Sequence, residues 1–190
     1  MKLRKIVITL LIIAAIVSGM LIAANEYSRH GLPVKEEPSY KLQIKGDSAN
    51  TVLTNQAIDL LKSKAPEWLD FVYKYIAIIE IADQGSGMYV WEVPPRCKIG
   101  LKTIEAGTIW YSSVLVHEAN HSKQYTEYKS KYPSKKVPEE IYSGHDAESE
   151  CLDVQYKVLE KLGASKETLD YVKNAINTDY WKVDYKNRWW

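Results

Sequence analysis

Apolar positions along the chain fall into three regimes. Residues 6–24 carry no charge and are almost entirely apolar. Residues 26–50 show no sustained period and are broken by Gly31, Pro33, Pro38 and Gly46; within them only 41–45 (KLQIK) reads as a short strand. From residue 51 onward regular periods appear. Ala57, Leu60 and Leu61 predict a helix over 51–64. Pro66 suits a first helical position, and Trp68, Leu69, Val72 and Tyr75 continue a helical stripe behind it. Residues 76–82 (IAIIEIA) are continuous and β-branched, as in a buried strand. After the turn residues Gln84-Gly85-Ser86-Gly87, residues 88–93 (MYVWEV) alternate like a second strand and stop at Pro94-Pro95.

Gly100 and Gly107 mark a loop, and 108–111 (TIWY) reads as a third short strand. Ser112 and Ser113 are N-cap candidates for a helix reaching about residue 129. Pro133, Pro138 and Gly144 interrupt the chain before a helix over 145–162 that stops at Gly163. A last helix follows Ser165, with Glu167 in its first turn, and runs to about residue 177. A helix, a few strands and a helical half make an α+β layout. Four segments result: 1–25, a tether over 26–50, a folded domain over 51–178, and an aromatic tail over 179–190.

Composition narrows the function classes. The chain has 190 residues, 25 basic and 24 acidic, for a net charge of +1. That balance argues against a nucleic-acid binder, which needs a basic surplus. Lys2, Arg4 and Lys5 precede the apolar run. The run is longer than a secretory h-region of about 7–15 residues and near the roughly 20 of a spanning helix. It reads as a signal-anchor, with a cleaved signal at the weak site Ile22-Ala23-Ala24 as the alternative. Either way the basic end stays cytoplasmic and the rest faces outward, at the membrane or secreted.

The chemistry gathers on two helices. His117, Glu118 and His121 form His-Glu-x-x-His within VLVHEANH. Two histidines four apart on a helix share a face and can grip one ion, and Glu118 stands where it can deprotonate a metal-bound water. A catalytic zinc needs a third protein ligand and an open position. The helix over 145–162 offers Glu148 on the stripe of Cys151, Leu152, Gln155, Leu159 and Leu162, which should bury. Glu150 shares a face with Asp146, Asp153, Lys157 and Lys161, which should be solvated. A buried carboxylate must be paired or metal-bound. Glu148 is therefore the better third ligand, the alternative being a buried hydrogen-bonded carboxylate.

The HEANH motif, followed by Glu148-Ser149-Glu150-Cys151 on a downstream helix, resembles the gluzincin class of zinc metallopeptidases over about residues 108–162. Cys151 stands at the small-residue place of that pattern, which maps the glutamate ligand to Glu148. The resemblance implies a minimal zincin-like fold. In it a small antiparallel or mixed sheet, with an edge strand along the cleft, lies beside the active-site helix, and TIWY fits that edge. It also implies one Zn2+ per chain and a peptide or protein substrate held by strand addition.

Around this centre, Tyr142, His145, Tyr125 and Tyr111 are available as donors to the developing oxyanion, and Gln124 can orient a ligand from behind. Cys97 and Cys151 allow a single intramolecular disulfide if the domain is exported, or remain two buried thiols. Two functions stay open: an exported zinc metallopeptidase with Glu118 as general base, and a membrane-tethered binding protein that keeps the scaffold without hydrolysis.

Overall fold

The computed structural model describes residues 40–176 and 178–188. The expected anchor lies outside these residues. Among the described residues no helix is long and apolar enough to cross a membrane.

Among the described residues the fold is mixed α/β, with six α-helices and a small four-stranded sheet. The strands are β1 (Gln43–Lys45), β2 (Ile78–Ala82), β3 (Gly87–Tyr89) and β4 (Arg96–Gly100). Their order is β1-β2-β4-β3, with β1, β2 and β4 parallel and β3 antiparallel to β4. The sheet thus takes in a segment assigned above to the tether, and β3 forms one edge. The helices are α1 (Ser48–Lys64), α2 (Pro66–Tyr75), α3 (Leu101–Glu105), α4 (Thr108–Lys131), α5 (His145–Leu162) and α6 (Lys166–Ala175).

Helix α4 runs through the middle and packs against α1, α2 and α5. Every residue from Trp110 to Ser122 is buried, which marks a helix enclosed on all sides. Leu115, Val116 and Ala119 meet Ile79 and Ile99 of the sheet, Leu61 and Val72 of the first helices, and Leu159 and Leu162 of α5 in one core.

Three expectations fail for identifiable reasons. TIWY is not a strand but the first turn of α4. Gly107, at φ 102°, supplies the left-handed residue from which the helix starts. Trp110 and Tyr111 are then helix residues facing the core, with the Tyr111 hydroxyl 2.9 Å from Thr54 Oγ1. Ser112 and Ser113 consequently cap nothing. Their hydroxyls donate back to the carbonyls of Thr108 (2.8 Å) and Trp110 (2.7 Å), and Ser112 also reaches the carbonyl of Ala57 on α1. The strand over 88–93 shrinks to Gly87–Tyr89, and pairing resumes beyond the prolines in Arg96–Gly100. There Cys97 and Ile99 bury while Arg96 and Lys98 reach outward. Alternate lysine and arginine hid that strand.

Candidate metal centre

Helix α4 delivers His117 and His121 side by side, their Nε2 atoms 3.1 Å apart and both rings buried. Glu148 comes from the first turn of α5, where its backbone N–H donates to the Gly144 carbonyl. The stripe Glu148, Cys151, Leu152, Gln155, Leu159 and Leu162 is buried as its spacing predicts, whereas Glu150 is exposed. The Glu148 carboxylate faces both rings: Oε2 is 3.5 Å from His117 Nε2 and Oε1 is 3.6 Å from His121 Nε2. Ligands about 2.0–2.1 Å from a tetrahedral zinc stand roughly 3.3 Å from one another. The edge between the histidines is 3.1 Å, and each histidine meets a different oxygen of the carboxylate, at 3.5 and 3.6 Å.

Cys151 adds a fourth group. Its Sγ lies 3.4 Å from His121 Nδ1, the ring nitrogen opposite the one that meets His117 and Glu148, and 3.3 Å from Asn120 Nδ2. His117, His121 and Cys151 together form a buried cluster that can bind a metal ion. The expected Cys97–Cys151 bridge is not formed. Both thiols are free and buried, because Cys151 turns to the histidine and Cys97 sits within β4.

Glu118 is buried beside this cluster, and its Oε2 has no hydrogen-bond partner. Burial raises its carboxyl to about 7; His117 and Arg188 pull against the rise and the charge of Glu148 adds to it. Glu148 is held well below the usual carboxylate range in spite of burial. The two histidines and the Tyr180 hydroxyl outweigh the desolvation. Burial lowers His121 to about 4, so this ring is neutral near pH 7 and ready to ligate. His117 is raised: burial opposes its charge, but Glu148 and Glu118 favour it.

The remaining sequence candidates divide. Tyr142 lines the cleft, its ring 6.3 Å from Trp91 and 5.4 Å from Tyr125. Gln124 ties α4 to α5 by donating to the Ala147 carbonyl (3.2 Å) and Glu150 Oε2 (3.1 Å), and it favours the protonated form of His121. Tyr111 is spent in the core. His145 stays out of the centre: it is exposed, meets the Trp181 ring edge-on and lines a separate pocket.

The cleft over the cluster holds about 520 Å³. One wall is the edge strand, through Gly87 and Met88; β3 therefore has the position expected of TIWY. The opposite wall holds Tyr180, Trp181 and Arg188 from the segment set aside as a tail. The Tyr180 hydroxyl donates to Glu148 Oε2 at 2.8 Å and lies 3.4 Å from His117 Nε2. The sequence marks this segment only by its run of aromatic residues, which does not single out Tyr180. Gln155 was also passed over. Its amide donates to Ser113 Oγ (3.2 Å), and the side chain favours the charged His117 ring.

Comparison of the chain with models of protein families, with curated proteins and with solved structures finds no match.

Proposed function

We propose that the chain is a zinc-dependent metallopeptidase, exported or held at the membrane by its first 25 residues. The observation that carries this reading is the conjunction at the cleft floor. Two imidazoles and a carboxylate meet at 3.1–3.6 Å, with the buried carboxyl of Glu118, whose Oε2 accepts no hydrogen bond, beside them.

The donor set fits the ion. Two histidine nitrogens and a glutamate oxygen are a catalytic zinc set that leaves a position for water. Two rings and two carboxylates crowded into a buried space are costly without a cation to balance them. Cys151 is the competing ligand. It meets His121 through Nδ1, so its sulfur stands behind the ring rather than on the side where both Nε2 atoms and Glu148 converge. Its role is to hold that ring.

Zinc, when bound, polarises a carbonyl and makes water nucleophilic near neutral pH. The protein supplies the rest. Glu118, raised to about 7, can accept a proton from the attacking water and return it to the leaving amine. His117 and His121 would hold the ion through Nε2, with Cys151 behind His121 at Nδ1, while His117 Nδ1 has no hydrogen-bond partner among the described residues. The free edge of β3 offers backbone groups to an extended peptide laid along the cleft. Metal analysis with a broad peptide library tests the reading, using wild type and Glu118→Gln: both should hold zinc and only wild type should cleave.

A further inference from the structure

The C-terminal segment is folded and pinned rather than loose. Arg188 closes it on itself, Nη2 donating to the Trp181 carbonyl (2.6 Å) and Nε to that of Val183 (3.0 Å), with the guanidinium 5.6 Å from the centre of the Tyr180 ring. Lys102 of α3 then fastens the far end, its Nζ donating to the carbonyls of Lys186 (3.1 Å) and Arg188 (2.7 Å). Ser149 of α5 donates to the Ile176 carbonyl (2.9 Å) where the chain leaves α6, which fixes the near end. A strap tied at both ends thus carries Tyr180 across the cleft.

The hydroxyl it delivers does more than steady Glu148. A group that only oriented the carboxylate would need to approach that carboxylate alone. This one also faces Nε2 of His117, the donor atom itself, on the side where the other donors converge. A fourth corner of a zinc tetrahedron should stand about 3.3 Å from each of the other donors. The hydroxyl meets two of those donors, 2.8 Å from Glu148 Oε2 and 3.4 Å from His117 Nε2.

We propose that Tyr180 is a fourth protein ligand of the metal centre, supplied by the C-terminal strap and displaced when substrate enters. This rests on the metal-centre reading above. On ligation the phenol O–H bond breaks, an oxygen–metal bond forms, and the proton passes to solvent. Glu148, which accepts that proton's hydrogen bond in the metal-free protein, then gives its oxygen to the ion. The strapped centre has four protein ligands and no open position, the pattern of a closed site. An extended peptide entering beside β3 would exchange its own carbonyl or a water for the phenolate. The metal–phenolate bond breaks, the oxygen takes back a proton from solvent, and Tyr180 returns to its hydrogen bond with Glu148, so the strap gates the chemistry.

Copper(II) loaded in place of zinc tests this without any assay of activity, because a phenolate bound to copper gives a visible charge-transfer band. Full-length wild type carrying one equivalent of copper should show that band, and Tyr180→Phe should hold the same equivalent without it. Absence of the band in copper-loaded wild type overturns the proposal with no variant needed, and leaves the metal centre standing. Persistence of the band in Tyr180→Phe overturns it too, by assigning the ligand to another tyrosine. Failure of wild type to hold one equivalent of copper or zinc removes the metal centre itself, and the proposal with it.

Discussion

Glu148 Oε2 lies 3.5 Å from His117 Nε2, although the two residues sit on different helices separated by the loop around Pro133 and Pro138. The contact exists because α4 and α5 pack along their lengths and turn buried polar side chains toward each other. Removing Glu148 takes from both rings the carboxylate they share, whereas removing His117 leaves Glu148 with His121 and the Tyr180 hydroxyl.

Metal binding should follow that geometry. His117→Ala and His121→Ala should each reduce zinc, measured by metal analysis after dialysis, to well below one ion per chain. Glu150→Gln, whose carboxylate contacts Lys123, Asn120 and Gln124 but no ligand nitrogen, should leave occupancy unchanged. Full zinc in His117→Ala would remove that residue from the centre.

Zinc affinity should depend on pH with a definite sign. His117 is raised above its ordinary value of 6.5, with burial opposing its charge and Glu148 and Glu118 favouring it. Its ring therefore keeps a proton to a higher pH than an ordinary imidazole, and below the raised value zinc must displace that proton. Below the raised value affinity falls by about one additional tenfold step per pH unit compared with the slope above it. His121, already neutral down to about 4, adds no such step near neutrality. Chelator competition across pH measures the slope, and a slope that does not steepen on the acid side would contradict the assignment.

Both cysteines should react as thiols. Unfolded, unreduced protein should take up two equivalents of thiol reagent, since Cys97 and Cys151 are separate and buried. Native protein should react slowly at both, because burial pushes each thiol upward and hides it. No uptake on unfolding would mean a bridge.

The core around α4 gives a stability test independent of metal. Leu115 is fully buried at the centre of the helix, and Leu115→Ala should cost about 2–5 kcal/mol by urea unfolding. Gly107→Ala should cost about 1 kcal/mol. A Cβ there meets nothing within 4 Å, so only the positive φ resists it. A neutral Gly107→Ala would mean that α4 does not begin from a left-handed residue.

How much of this was legible in the sequence depended on whether local signals agreed with tertiary demands. Helix α5 was readable to its ends, because Gly163 adopts the left-handed conformation a helix stop favours and the apolar stripe is unbroken. The same stripe separated Glu148 from Glu150. TIWY misled because β-branched and aromatic residues favour strands locally, whereas here they fill the core from a helix enclosed on every side. RCKIG was hidden by its charges, since Arg96 lies between Glu80 (3.3 Å) and Glu92 (2.6 Å), partners that spacing alone does not reveal. Tyr180 was out of reach for a different reason: only the fold brings the chain end back over His117 and Glu148.

The most direct measurement is hydrolysis of a broad peptide library by zinc-loaded wild type and Glu118→Gln, with metal content counted in the same samples. The expected result is about one zinc per chain in both proteins, cleavage by wild type, and a loss of at least about a hundredfold in Glu118→Gln. Equal cleavage by the two proteins, or no cleavage by zinc-loaded wild type, would contradict the assignment of Glu118 as the base of a metallopeptidase.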